Sequence, residues 1–115
     1  MVSRRRKSGD SAGAGLATLV VNATLSRIDA LASVALAIDS HVVGAGTADA
    51  HVVLARGERA YIEIPRFGEP PPLAIDVVSD VGVEEARMAA LELLIALTNS
   101  TPWEIRPTFA KSRDE

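Results

Sequence analysis

The order of periodicities along this chain predicts an α+β domain, a mainly antiparallel sheet with two packed helices in the order β-α-β-β-β-β-α-β. Three observations carry that expectation. Two stretches, 25–38 and 83–99, place apolar residues at helical spacing. The remaining patterned segments are short, rich in Val and Ile, and punctuated by Gly and Pro. A chain of 115 residues has room for only one core, so these elements have to pack on one another.

Residues 1–14 are polar, Gly/Ser-rich and unpatterned, and read as a basic disordered tail; 15–110 form the domain and 111–115 a second tail. Residues 16–22, Leu-Ala-Thr-Leu-Val-Val-Asn, are short and β-branched and close on a turn former, which suits a buried strand. A single longer helix starting at Leu16 is the competing reading. Thr24 is then placed to cap a helix over 25–38, with Ile28, Leu31, Val34, Ala35 and Ile38 inward and Ser26, Asp29, Ser33 and Ala37 outward. Segments 41–43, 50–55 and 60–64 read as antiparallel strands, with Arg56-Gly57-Glu58 as the tight turn between the last two. In the third, Ile62 and Ile64 share one face, Tyr61 and Glu63 the other.

Residues 65–72 end in three consecutive prolines, which favour an extended loop and cannot donate to a sheet. A strand over 73–78 follows, alternating Leu73, Ile75 and Val77 against Ala74, Asp76 and Val78. The second helix starts between 80 and 83 and runs to Asn99. It is apolar nearly all round, with a narrow ridge of Glu85, Glu92 and Asn99, which predicts that most of it is buried. Glu84 and Glu85 complement the positive end of its dipole, and Pro102 stops it. A last strand over 103–109 points Trp103 and Ile105 inward and Glu104 and Arg106 outward.

Composition removes several functions. With no cysteine there is no disulfide framework, no thiolate metal ligand and no Cys nucleophile. The aromatic residues are Tyr61, Phe67, Trp103 and Phe109, so the core has to be aliphatic and offers no stacking platform for bases. The net charge of −3 hides an asymmetry. Setting Arg4, Arg5, Arg6 and Lys7 aside leaves eight basic against 15 acidic residues, a body of charge −7. Such a body repels phosphate and steers basic partners toward it. Nucleic-acid binding through the basic leader is therefore not expected. Arg27 and Asp29 break the most apolar stretch, so no membrane span is expected either. The leader Ser3-Arg4-Arg5-Arg6-Lys7 with the apolar 14–25 beyond it imitates a twin-arginine export signal, but cleavage after Ala32 would split the amphipathic helix. A cytoplasmic location is the expectation, with export as the alternative.

The chemistry-bearing patterns are few. Asp39-Ser40-His41 and Asp49-Ala50-His51 repeat an Asp-x-His spacing, which on strands puts a carboxylate and an imidazole on one face. A five-residue loop over 44–48 pairs Val43 with Asp49 and sets His41 against His51, making Asp39, His41, Asp49 and His51 a candidate metal set. A loop one residue shorter puts the two histidines on opposite faces. No cofactor is expected: the Gly-x-Gly segments lack phosphate-loop spacing, and no nucleophile elbow frames a Ser. In the loop Arg66-Phe67-Gly68-Glu69-Pro70, Phe67 is either tucked under its own loop or displayed as an anchor, since aromatics and Arg dominate interface energies.

Val83-Glu84-Glu85-Ala86-Arg87, continuing through Ala89-Ala90-Leu91-Glu92-Leu93-Leu94 to Asn99-Ser100-Thr101-Pro102-Trp103-Glu104-Ile105, resembles the C-terminal helix and strand of Imm1-like immunity proteins of actinobacterial polymorphic toxin systems. The resemblance covers the last third of the chain and extends to size, acidity, a central hairpin and a proline-bearing loop before the last helix. It implies a non-enzymatic inhibitor that binds a toxin domain.

The expectation for function is then a protein-binding module, an immunity protein that neutralises a basic toxin domain, with Tyr61, Glu63, Arg66, Phe67, Glu69 and Asp76 meeting the partner. The alternative is a structural or assembly subunit, phage-derived or homo-oligomeric, a homo-dimer among its forms, whose Ala-rich helices and strand edge pack on copies of themselves. A small metal protein or enzyme using Asp39, His41, Asp49 and His51 is the third reading.

Overall fold

The structure, a computed structural model, describes residues 15–64 and 73–109. The basic leader, the proline loop with Arg66, Phe67 and Glu69, and the C-terminal tail lie outside the described residues. Eight elements follow in chain order: β1 (Gly15–Asn22), α1 (Arg27–Ala37), β2 (Val42–Val43), β3 (His51–Val53), β4 (Arg59–Glu63), β5 (Leu73–Ser79), α2 (Val83–Ser100) and β6 (Glu104–Pro107). The fold is α+β, one six-stranded sheet in the order β2-β3-β4-β5-β1-β6 with every pairing antiparallel.

β1 is extended and not the start of a long helix. Its β-branched Thr18, Val20 and Val21 are stiff about χ1 and suit a pleated surface, and it pairs with β5 from Gly15↔Ser79 to Val21↔Leu73. Gly15 begins it because α2 starts on top of it: any Cβ at Gly15 would overlap the backbone of Gly82 and Val83.

Both helices lie on one face of the sheet, α1 over β2, β3 and β4, and α2 over β5, β1 and β6. The core between the layers is aliphatic. Leu19 and Val21 of β1, Leu73, Ile75 and Val77 of β5, and Val52 of β3 meet Val34 of α1 and Leu93 and Leu97 of α2, all 2% exposed or less. Trp103 and Ile105, expected inward, are half-buried at its margin.

Several local expectations change. Ser26, not Thr24, caps α1, accepting from the Asp29 amide at 3.0 Å. The helix starts two residues later than expected, its buried stripe is Ala30, Leu31, Val34 and Ala35, and Ile28 stands 71% exposed. The helix closes with a Schellman motif, in which the Ser40 amide donates to Ala35 O at 2.8 Å and the Asp39 amide to Leu36 O at 3.3 Å, and Asp39 holds the left-handed position at φ 57°. The β3–β4 turn falls on Ala55-Arg56-Gly57: the Leu54 amide bonds Glu58 O at 2.7 Å, and Gly57 supplies the required φ of 95°. Finally, α2 is not mostly buried. Ala86, Ala89, Ala90, Leu93 and Leu97 face the sheet, but Met88 and Ile95 stand 53% and 59% exposed on the outer side.

The sheet edges are short. β2 is two residues long, and β6 is four and ends at Pro107, which has no amide to offer. Short edges of this kind offer few main-chain groups to an added strand.

Candidate functional site

Because α1 and α2 share one side, no described element covers the other side of the sheet. An antiparallel sheet tolerates this when the uncovered positions carry polar or mixed side chains. The alternation places Thr18, Val20 and Asn22 of β1, Ala74, Asp76 and Val78 of β5, Arg59, Tyr61 and Glu63 of β4, and His51 and Val53 of β3 on that side, while their neighbours are core.

Register arranges these side chains in rows. Val43 opposes His51, Tyr61 opposes Asp76, and Asp76 opposes Thr18, so one line of side chains crosses the sheet from β2 to β1. Within it the His51 and Tyr61 rings lie 5.1 Å apart and tilted by 39°, and the Thr18 hydroxyl donates to Asp76 Oδ1 at 2.7 Å. His51 Nδ1 lies 2.7 Å from Asp49 O. A carbonyl only accepts, so Nδ1 carries the proton in this contact. The next row runs through Val53, Arg59 and Val78 to Leu16, which is 55% exposed. Arg59 grips Asp80 through both terminal nitrogens, at 3.0 and 3.5 Å. Its Nε–H is buried and meets no acceptor among the described residues. On the far side Asn22 Nδ2 donates to Glu104 Oε1 at 3.2 Å, and Arg106 lies opposite Val20.

Such a face offers a tilted pair of aromatic rings, hydrogen-bonding groups held by their neighbours, and aliphatic ground between them. That is the equipment of a recognition surface. Of the residues expected to meet a partner, Tyr61, Glu63 and Asp76 fall together on it; Arg66, Phe67 and Glu69 lie outside the described residues.

The Asp-x-His repeat does not assemble. Val43 pairs with His51 rather than Asp49, because the loop spans seven residues, Gly44 to Ala50, and not five. Its extra length is taken up by a turn in which the Thr47 amide donates to Gly44 O at 3.0 Å and the Thr47 hydroxyl donates to the same oxygen at 2.6 Å. His51 consequently stands beside Tyr61. His41 instead lines a cleft of about 330 Å³ with Ile38, Asp39 and Glu92, between the end of α1, the end of β3 and α2. Among the described residues no three His, Asp or Glu side chains could hold one metal ion.

His51, Thr18 and Arg59 are members of this face that the sequence expectation left out. For one pair a signal existed. The runs 16–21 and 73–78 are apolar except for Thr18 and Asp76, and a single polar residue in each of two apolar strands is best accommodated when the two face each other. No helix of the described residues is long and apolar enough to cross a membrane. Compared with known proteins, the chain matches no family model, no curated protein and no solved structure, so its family is not assigned by likeness and the face itself is the guide to function.

Proposed function

We propose that this chain is a non-enzymatic protein-binding module that engages its partner through the uncovered sheet face, around the row His51, Tyr61, Asp76 and Thr18. The observation that supports this reading is that row: half-buried polar and aromatic side chains, mutually braced, in the middle of a face that no described element covers. Braced side chains lose little entropy on binding, which is what makes aromatic anchors effective.

The class of partner follows from the resemblance of 83–105 to Imm1-like immunity proteins and from the acidic body. It is a basic toxin domain, and binding blocks its action. The test is co-expression with a toxin domain encoded next to this chain. The chain restores growth and copurifies with the toxin in a stoichiometric complex. The double substitution Tyr61→Ala, Glu63→Arg weakens the complex at least tenfold while its thermal melting stays close to that of the unaltered chain. A complex indifferent to both substitutions, or a chain that neither binds nor protects, overturns the reading.

A further inference from the structure

α1 opens with a cation where a helix favours an anion. Arg27 is its first residue, at the positive end of the helix dipole. The side chain is half-buried and makes no ion pair among the described residues, and its Nε–H is buried with no acceptor there. Arg59 shares the orphaned Nε–H, but its terminal nitrogens are taken by Asp80. No described carboxylate takes those of Arg27. A buried donor without an acceptor is costly and rare, so its surroundings are informative.

Those surroundings are a cavity. Arg27 lines a pocket of about 300 Å³ between the first half of α1 and the loop that joins β2 to β3. Buried Leu31 and Ala50, with half-buried Val42, form the inner wall, and the exposed Ile28 and Ala32 of α1 stand at the mouth. The outer wall is the loop around Thr47, whose hydroxyl and amide both donate to Gly44 O, so the wall is braced without any ligand. The volume lies at the small end of ligand sites, and apolar walls with few convergent polar groups are how such sites are built.

We propose that this pocket binds a small monocarboxylate with an apolar body, its carboxylate on Arg27 and its body against Leu31, Val42 and Ala50. The Nε–H and one Nη–H of a guanidinium point the same way and match the two oxygens of a planar carboxylate. Such a head group gives the buried donor its acceptor, and its negative charge answers both the guanidinium and the start of the helix. The rest of the ligand has to be apolar. Besides Arg27, the lining holds one polar side chain, Thr47, whose hydroxyl already donates to Gly44 O at 2.6 Å and accepts from the Asp49 amide at 3.2 Å. A second charge or a row of hydroxyls on the ligand would therefore be buried without partners. Asp29, the acid nearest to Arg27 in sequence, does not line the pocket.

Octanoate is the probe, titrated into the full chain and followed by calorimetry and by backbone amide chemical shifts. It binds once per chain, raises the thermal midpoint, and moves the amides of α1's first half and of the β2–β3 loop. Octanol, with the same body and no charge, binds at least tenfold more weakly. Arg27→Met keeps an apolar stem, removes the guanidinium and brings octanoate down to the level of octanol. Ala32→Phe fills the mouth from an exposed helix position and abolishes binding, with circular dichroism and melting unchanged. Octanoate that binds no better than octanol, or that is indifferent to Arg27→Met, overturns the assignment of the head group. No binding at millimolar octanoate, or shifts centred elsewhere in the chain, overturns the site itself. The pocket lies beside α1 and away from the uncovered sheet face, so either result leaves the binding test above to be decided on its own.

Discussion

The two faces of the sheet are made by the same strands and behave as different materials. On the helix side, Leu19, Val21, Ile75 and Val77 are sealed from water. On the other side the alternating residues Thr18, Val20, Asp76 and Val78 remain partly wet, although two of the three outward residues in each of the runs 16–21 and 73–78 are as apolar as the core. α2 shows the converse: along with Leu93 and Leu97 it buries the small residues Ala86, Ala89 and Ala90, while the large apolar Met88 and Ile95 stay in water. Small side chains let the helix approach the sheet closely, and an exposed large side chain carries information that a buried one does not.

The contrast can be broken most severely from the core side. Ile75→Ala leaves a cavity in a layer with no route to collapse and costs about 2–5 kcal/mol. The matched deletion three residues on, Val78→Ala, removes methyls from the wet face and costs under about 1 kcal/mol; urea unfolding of the two variants measures the asymmetry, and equal losses would contradict it. Gly15→Ala places a methyl against the backbone of Gly82 and Val83. It forces β1 and α2 apart at a cost of about 1–3 kcal/mol, read as a lowered thermal midpoint.

A smaller loss sharpens the reading of the uncovered face. Thr18→Val keeps the shape but leaves Asp76 without its 2.7 Å donor, which costs about 1 kcal/mol in a denaturant titration. The smallest effect has the opposite sign. Asp39 sits at a left-handed position and places a carboxylate at the negative end of α1. Asp39→Gly relieves both and stabilises by about 0.5–1 kcal/mol; no gain would show that the Asp39 side chain has a role of its own in the cleft with His41.

Much of the architecture was legible from spacing. The element order, the strand nature of 16–22, the inward set Leu73, Ile75 and Val77, and the stop at Pro102 all follow from period, β-branching and the missing proline amide. The candidate face was legible in part. Tyr61, Glu63 and Asp76 could be assigned to outward positions because a two-residue period needs only local sequence. His51 could not, because its neighbours depend on the length of a turn. A seven-residue loop in place of five moved it from a hypothetical metal set to the side of Tyr61.

Thus local sequence by itself determined which residues extend, which coil, and which side of each strand is apolar. Only the tertiary structure decided that both helices cover the same side of the sheet, that Ile28, Met88 and Ile95 stay outside, and that lone polar residues from β1 and β5 meet. The physical reason is that period is set by neighbours along the chain, while coverage and register are set by competition among segments far apart in it for one limited core.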